Sequence, residues 1–282
     1  MSLLDLVHAT NAELLKLWRR PAFWVLALIV AVLVLLQQYI VSYIVNVVNI
    51  PASSPPPPVA IRAYLPDQIV RLVIVPVALE GPYIGVVLGA MLAGGEYSWG
   101  TLKMAMTQAP SRLSIYAGRV ISLLIAAAVL VLFFFLAGGI GSIAITIVAG
   151  YSLVAPSFDL LRGMADSWTI LAMWTILGAT FATLTRGAVP GIVLGYIWLS
   201  AIDSVISALY SLSGITRVID QAMPLAMTFA IQLSFPPPGQ TGNQLAIGNV
   251  GGNATLGPWL LLTYLAGLVV VGAIVTWRRD IT

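Results

Sequence analysis

The sequence contains no cysteine and a single histidine, His8. The first absence excludes disulfides, zinc–thiolate sites and thiol catalysis, and the second excludes a multi-histidine metal site. Charge is almost as scarce. Asp, Glu, Lys and Arg make up 8% of the chain, against about 25% in a soluble domain. A soluble protein of this length has no means of covering itself with so few charges, whereas a chain solvated by lipid has no such need. No GxxxxGK[ST] phosphate loop occurs, and the glycines fall in apolar stretches or outer loops with no lysine after them. ATP binding by that device is therefore excluded for this chain. The first residues do not read as a signal peptide, because Asp5, Asn11 and Glu13 interrupt any apolar run and Arg19-Arg20 follows it.

What remains is hydrophobic. Apolar residues form 60% of the chain, and the mean hydropathy is +0.99. A membrane-crossing helix needs about 20 mostly apolar residues. The segments that qualify are 22–48, 69–94, 119–149, 167–185, 188–210 and 259–277. The expectation is an all-α polytopic integral membrane protein with six transmembrane helices in one domain over residues 1–282. Loop charges set its orientation. Lys16, Arg19, Arg20, Lys103, Arg112, Arg119, Arg186, Arg278 and Arg279 fall on one side, and Arg62, Arg71, Arg162 and Arg217 on the other. By the positive-inside rule both termini are cytoplasmic. Trp18, Trp24, Trp99, Trp168, Trp259 and Trp277 mark span edges, as interfacial aromatics do.

The outer connections differ. Pro55-Pro56-Pro57-Pro58 lies between the first two spans and reads as a stiff polyproline II spacer. A short loop before the fourth span holds Asp159, Arg162 and Asp166. Residues 211–258 form the longest connection. Its first part has helical apolar spacing that suits short interfacial or re-entrant helices, with Pro224 breaking them in the middle.

On the inner side, residues 1–20 read as an amphipathic helix on the membrane surface or as a plain topogenic flank. Trp18, Arg19 and Arg20 are its interfacial anchor, and Pro21 starts the first span. Residues 95–112 form the loop between the second and third spans, with a short helical stretch at 102–108 that ends before Pro110. Two acids fall inside spans. Glu80 precedes Gly81-Pro82, where a kink is expected, and Asp203 lies in the fifth span. Each is either a contact on a translocation path or hinge, or an acid packed and hydrogen-bonded between helices. Gly187, Gly191 and Gly195 have GxxxG spacing, which suits close helix packing within the subunit or against a second one.

The chain resembles permease subunits of ABC-2 type transporters over nearly its whole length. The resemblance rests on three features. One is Leu14-Leu15-Lys16-Leu17-Trp18-Arg19-Arg20-Pro21 before the first span. Another is Glu96-Tyr97-Ser98-Trp99-Gly100-Thr101-Leu102-Lys103 after the second, followed by Pro110-Ser111-Arg112 and Arg119. The last is the six-span layout with its long final outer loop. The resemblance implies a non-enzymatic exporter subunit in the plasma membrane of a bacterium. Glu96, Gly100, Thr101, Leu102 and Lys103 would form or hold a coupling helix seated on a separate nucleotide-binding ATPase subunit, which carries ATP and magnesium. The chain itself would bind no cofactor and no nucleic acid. A second permease copy or paralogue, together with the lipid bilayer, would complete the assembly. Two other classes stand beside it. An ion-coupled transporter or channel would need no ATPase and would show an inverted repeat, which the sequence lacks. A membrane-embedded enzyme would cluster its acids, and here they are scattered.

Overall fold

The structure, a computed structural model, describes residues 3–45, 61–98, 112–155, 159–202, 205–206, 218–219, 221–235 and 255–278. Among these, 91% are helical and none is in a strand, so the fold class is all-α. Four helices are long and apolar enough to cross a membrane, and a bent pair makes a fifth if counted as one span.

Helix α1, Leu3–Arg19, carries Asp5 in its first turn and Lys16 and Arg19 in its last, matching the helix dipole. Lys16 pairs with Glu13 at 2.8 Å. Arg20 is extended and breaks the helix, and Pro21 opens α2, Pro21–Leu33, which continues as a π-helical stretch over Val34–Val41. A 3-10 turn at Pro66–Gln68 leads into α3, Ile69–Leu79. Helix α4, Gly81–Ser98, follows after Glu80. The two are bent by 58°. Pro82 causes the bend, because it has no N–H to give to Ala78 and its ring crowds that carbonyl.

Helix α5, Arg112–Val148, has 37 residues and spans roughly 55 Å at about 1.5 Å per residue. That exceeds a hydrocarbon core of about 30 Å, so α5 is longer than one crossing needs. Helix α6, Asp159–Thr185, starts earlier than the apolar run 167–185 suggests. Asp159, Arg162 and Asp166 belong to its first turns and not to a loop. Asp159 suits the positive end of the helix dipole, and Arg162 faces Asp166 one turn on at 3.7 Å. Arg186, at φ 58, and Gly187, whose N–H reaches Ala182 O at 3.1 Å, close α6. Helix α7, Ala188–Ile197, then runs into a π-helical turn at Trp198–Ile202. Pro224 begins α8, Pro224–Leu233, where the sequence suggested a break. Helix α9 covers Gly257–Arg278.

Helix α6 is the axis of the bundle. Its most apolar stretch is 78% buried, against 11% for α9, which lies on the outside. The closest packing is with α4, through glycines one turn apart on a single face. Gly81 meets Leu171, Gly85 meets Trp174 and Thr175, and Gly89 meets the backbone of Thr175 and Ala179. Gly178 of α6 returns the fit against the backbone of Val86. The glycines of α7 serve the same body: Gly191 rests on Ala182 and Gly195 on Val86. Their spacing is thus used within the chain.

Candidate functional site

The helix ends form two poles. One is basic: it gathers α1, the start of α2, the end of α4, the start of α5, the end of α6, the start of α7 and the end of α9. Gly118 of α5 lies against Ala9 and Thr10 of α1, so α1 packs along the start of α5. Leu17 is buried beneath α1, while Val7, Leu15 and Trp18 stay exposed. Tyr116 of α5 donates to Val269 O of α9 at 2.9 Å. Gly94 of α4 sits directly on Gly187 and Ala188.

The anchor residues fall at the α1–α2 joint. The Trp18 ring lies 5.6 Å from Phe23 and 5.4 Å from Trp24, and Trp24 Nε1 donates to Trp18 O at 2.9 Å. Arg19 is exposed. Arg20 does more than flank the span: its guanidinium reaches Met91 O on α4 at 3.4 Å and lies beside Gly95. Residues 99–111, and with them Gly100, Thr101, Leu102 and Lys103, lie outside the described residues, as do the Glu96 side chain and Asp203. The structure brings the helices that bracket the 99–111 segment to the basic pole. Ser98 ends α4 and Arg112 opens α5.

The second site residues, Glu80 and Pro82, are at the α3–α4 break. From Glu80 to the end of α4 at Ser98 the chain rises roughly 27 Å, so the acid is deep in the bundle. Its side chain hydrogen-bonds Gln37 in the π-helical stretch of α2. Its Oε2 is buried with no hydrogen-bond partner among the described residues. Gln37 was not singled out in the sequence. The signal was present as one of only a few polar residues in the first span, but its partner is distant in the chain.

The other pole joins α8 to the bundle. Trp174 Nε1 donates to Thr228 Oγ1 at 3.2 Å, halfway along α6. Arg162, at the start of α6, stacks over Phe235 at 4.9 Å. Tyr39 of α2 hydrogen-bonds Ser142 of α5 at 2.9 Å, with its ring against Gly141. Among the described residues no group of three or more His, Cys, Asp or Glu is placed to hold a metal. Compared with known proteins, the sequence matches no family model and no curated protein.

Proposed function

We propose that the chain is the membrane permease subunit of an ATP-driven exporter of the ABC-2 type, moving its substrate outward with energy from a separate ATPase subunit. The observation that carries this reading is the build of the basic pole. Helix α1 is packed along the start of α5. The 99–111 segment lies between Ser98 at the end of α4 and Arg112 at the start of α5. A segment held at both ends by long helices is suited to take a push and pass it into the membrane. The pattern from Glu96 to Lys103 lies there, and the resemblance assigns it the docking role.

In this reading the chain crosses the bilayer six times. The bent α3–α4 pair is the second span and α7 belongs to the fifth. Both termini are cytoplasmic. Helix α8 is re-entrant: it runs from mid-bundle at Thr228 to the outer end of α6 at Arg162. A second permease copy or paralogue completes the complex, and Glu80 with Pro82 lines or hinges the path.

The experiment compares the wild type with Gly100→Pro. Both should insert in host membranes. Mild-detergent purification of the wild type should bring ATP hydrolysis with it, and Gly100→Pro should lose that activity. A cysteine placed at Trp99, unique in a cysteine-free chain, should react with a membrane-impermeant maleimide only after the cells are opened. Labelling of intact cells, or ATP hydrolysis by the purified chain alone, would refute the assignment.

A further inference from the structure

A cavity of about 380 Å³ opens between the start of α2, the last turns of α4 and the start of α7. Its volume falls within the roughly 300–1,000 Å³ of sites that hold small organic molecules. The lining is graded along the bundle axis. Arg20, Gly95 and Ala188 stand at helix ends on the basic pole, while Leu26 and Leu88 are deepest. Leu26 lies six residues into the chain from Arg20, which puts it roughly 9 Å further towards the bilayer centre. Phe23, Met91 and Leu92 complete the apolar wall. Met91 is 37% exposed and Leu26 half-buried, so the cavity has an open side among lipid-facing residues.

Charge grades the same way. Arg20 caps the cavity, Arg19 precedes it, and Arg186 lies two residues before Ala188. Of these, Arg20 belongs to the lining itself. A cation over an apolar slot, level with the headgroups, has the chemistry of an anionic amphiphile's binding site. A free inorganic anion would gain nothing from the apolar wall, and a neutral hydrocarbon nothing from the arginines.

We propose that this cavity seats one anionic glycerophospholipid of the basic-side leaflet, its phosphate on Arg20 and one acyl chain laid between Leu26 and Leu88. The inference needs only that α2, α4 and α7 end at one membrane face. It does not depend on ATP-driven transport, so either proposal can fail without the other.

The test uses the purified full chain in a neutral detergent, titrated by native mass spectrometry with dioleoyl phosphatidylglycerol and dioleoyl phosphatidylcholine, which share their chains. The wild type should bind one phosphatidylglycerol about tenfold more tightly than phosphatidylcholine, because both bring a phosphate to Arg20 but the choline cation offsets that charge and is repelled by the arginine. Arg20→Gln should abolish that preference and Arg20→Lys should keep most of it. Leu26→Trp, which fills the slot from a half-buried position, should weaken both lipids. Circular dichroism of each variant checks that its helices are intact. Equal affinity of the wild type for the two lipids would overturn the proposal. So would unchanged phosphatidylglycerol binding in Leu26→Trp, or loss of the preference in Arg20→Lys. Displacement of the lipid by equimolar glycerol 3-phosphate would point to a soluble anion and overturn it as well.

Discussion

Gly89→Ala tests the packing on which the rest of the bundle depends. A Cβ at Gly89 would overlap the carbonyl oxygen of Thr175 and stand 2.8 Å from the amide nitrogen of Ala179. Contacting atoms settle at about 3.5–4.0 Å, so α4 and α6 must part by more than about 1 Å at this level. No side chain can swing aside, because the atoms met are backbone. Overpacking costs about 1–3 kcal/mol, and backbone on both sides puts this case near 3. Alanine returns about 1 kcal/mol through helix propensity, leaving a net loss of about 2 kcal/mol. Gly267→Ala in α9 is the control, since a Cβ there meets nothing within 4 Å. It should be neutral or stabilise by up to about 1 kcal/mol. Reversible unfolding in mixed micelles, titrated with a denaturing detergent, reads both variants. Equal midpoints for the two would refute the α4–α6 contact.

Two further outcomes follow from the interhelical hydrogen bonds. Tyr39→Phe removes the bond to Ser142 and should cost about 0.6–1.7 kcal/mol in the same unfolding assay, with Tyr39→Phe/Ser142→Ala costing little more than either single change. Glu80→Leu leaves Gln37 without its partner and should cost about 1–3 kcal/mol, whereas Glu80→Gln keeps a hydrogen-bonding group there and should cost less; equal losses for the two would rule out the Gln37 contact.

The helices most legible in the sequence are those whose hydrophobicity is a property of the segment itself. Helices α2, α5 and α9 fall on the apolar runs 22–48, 119–149 and 259–277, because a long uncharged run needs no partner to be recognised. The apolar run begins only at 167, short of the start of α6, because Asp159, Arg162 and Asp166 lower the local hydropathy. Their spacing at the start of a helix gives the better reading, an acid at the dipole end followed by an i,i+4 ion pair. The kink at Glu80 was legible because Pro82 acts locally, whereas its angle and the bond to Gln37 depend on tertiary structure. The glycine face of α4 at 81, 85 and 89 has the same spacing as that of α7, but spacing alone does not name the helix it meets. The cavity beneath Arg20 is assembled from three segments far apart in the chain, so no local pattern announces it. Gly100 to Lys103 and Asp203 lie outside the described residues.

The glycine packing also divides the bundle mechanically. Helices α4, α6 and α7 meet backbone to backbone at Gly85, Gly89, Gly94, Gly178 and Gly191, where no long side chain stands between them to re-pack as they slide. A dense interface of this kind moves as a body or jumps between discrete fits; it does not deform smoothly. Helix α3 packs on α6 through Val70 against Gly163, and it meets α4 at a 58° break where Pro82 removes a backbone hydrogen bond. The π-helical stretch of α2 lies beside the break through Gln37, and π-helical turns are local departures from the regular ladder that recur at functional positions. Force applied at Ser98 therefore travels along α4 with α6 and α7 in step, and the first compliant point it meets is Glu80. Under the transport reading, this makes Glu80 a hinge by position even if it never touches substrate. The Gln37 bond ties this joint to α2, and a single hydrogen bond constrains the joint less than several would.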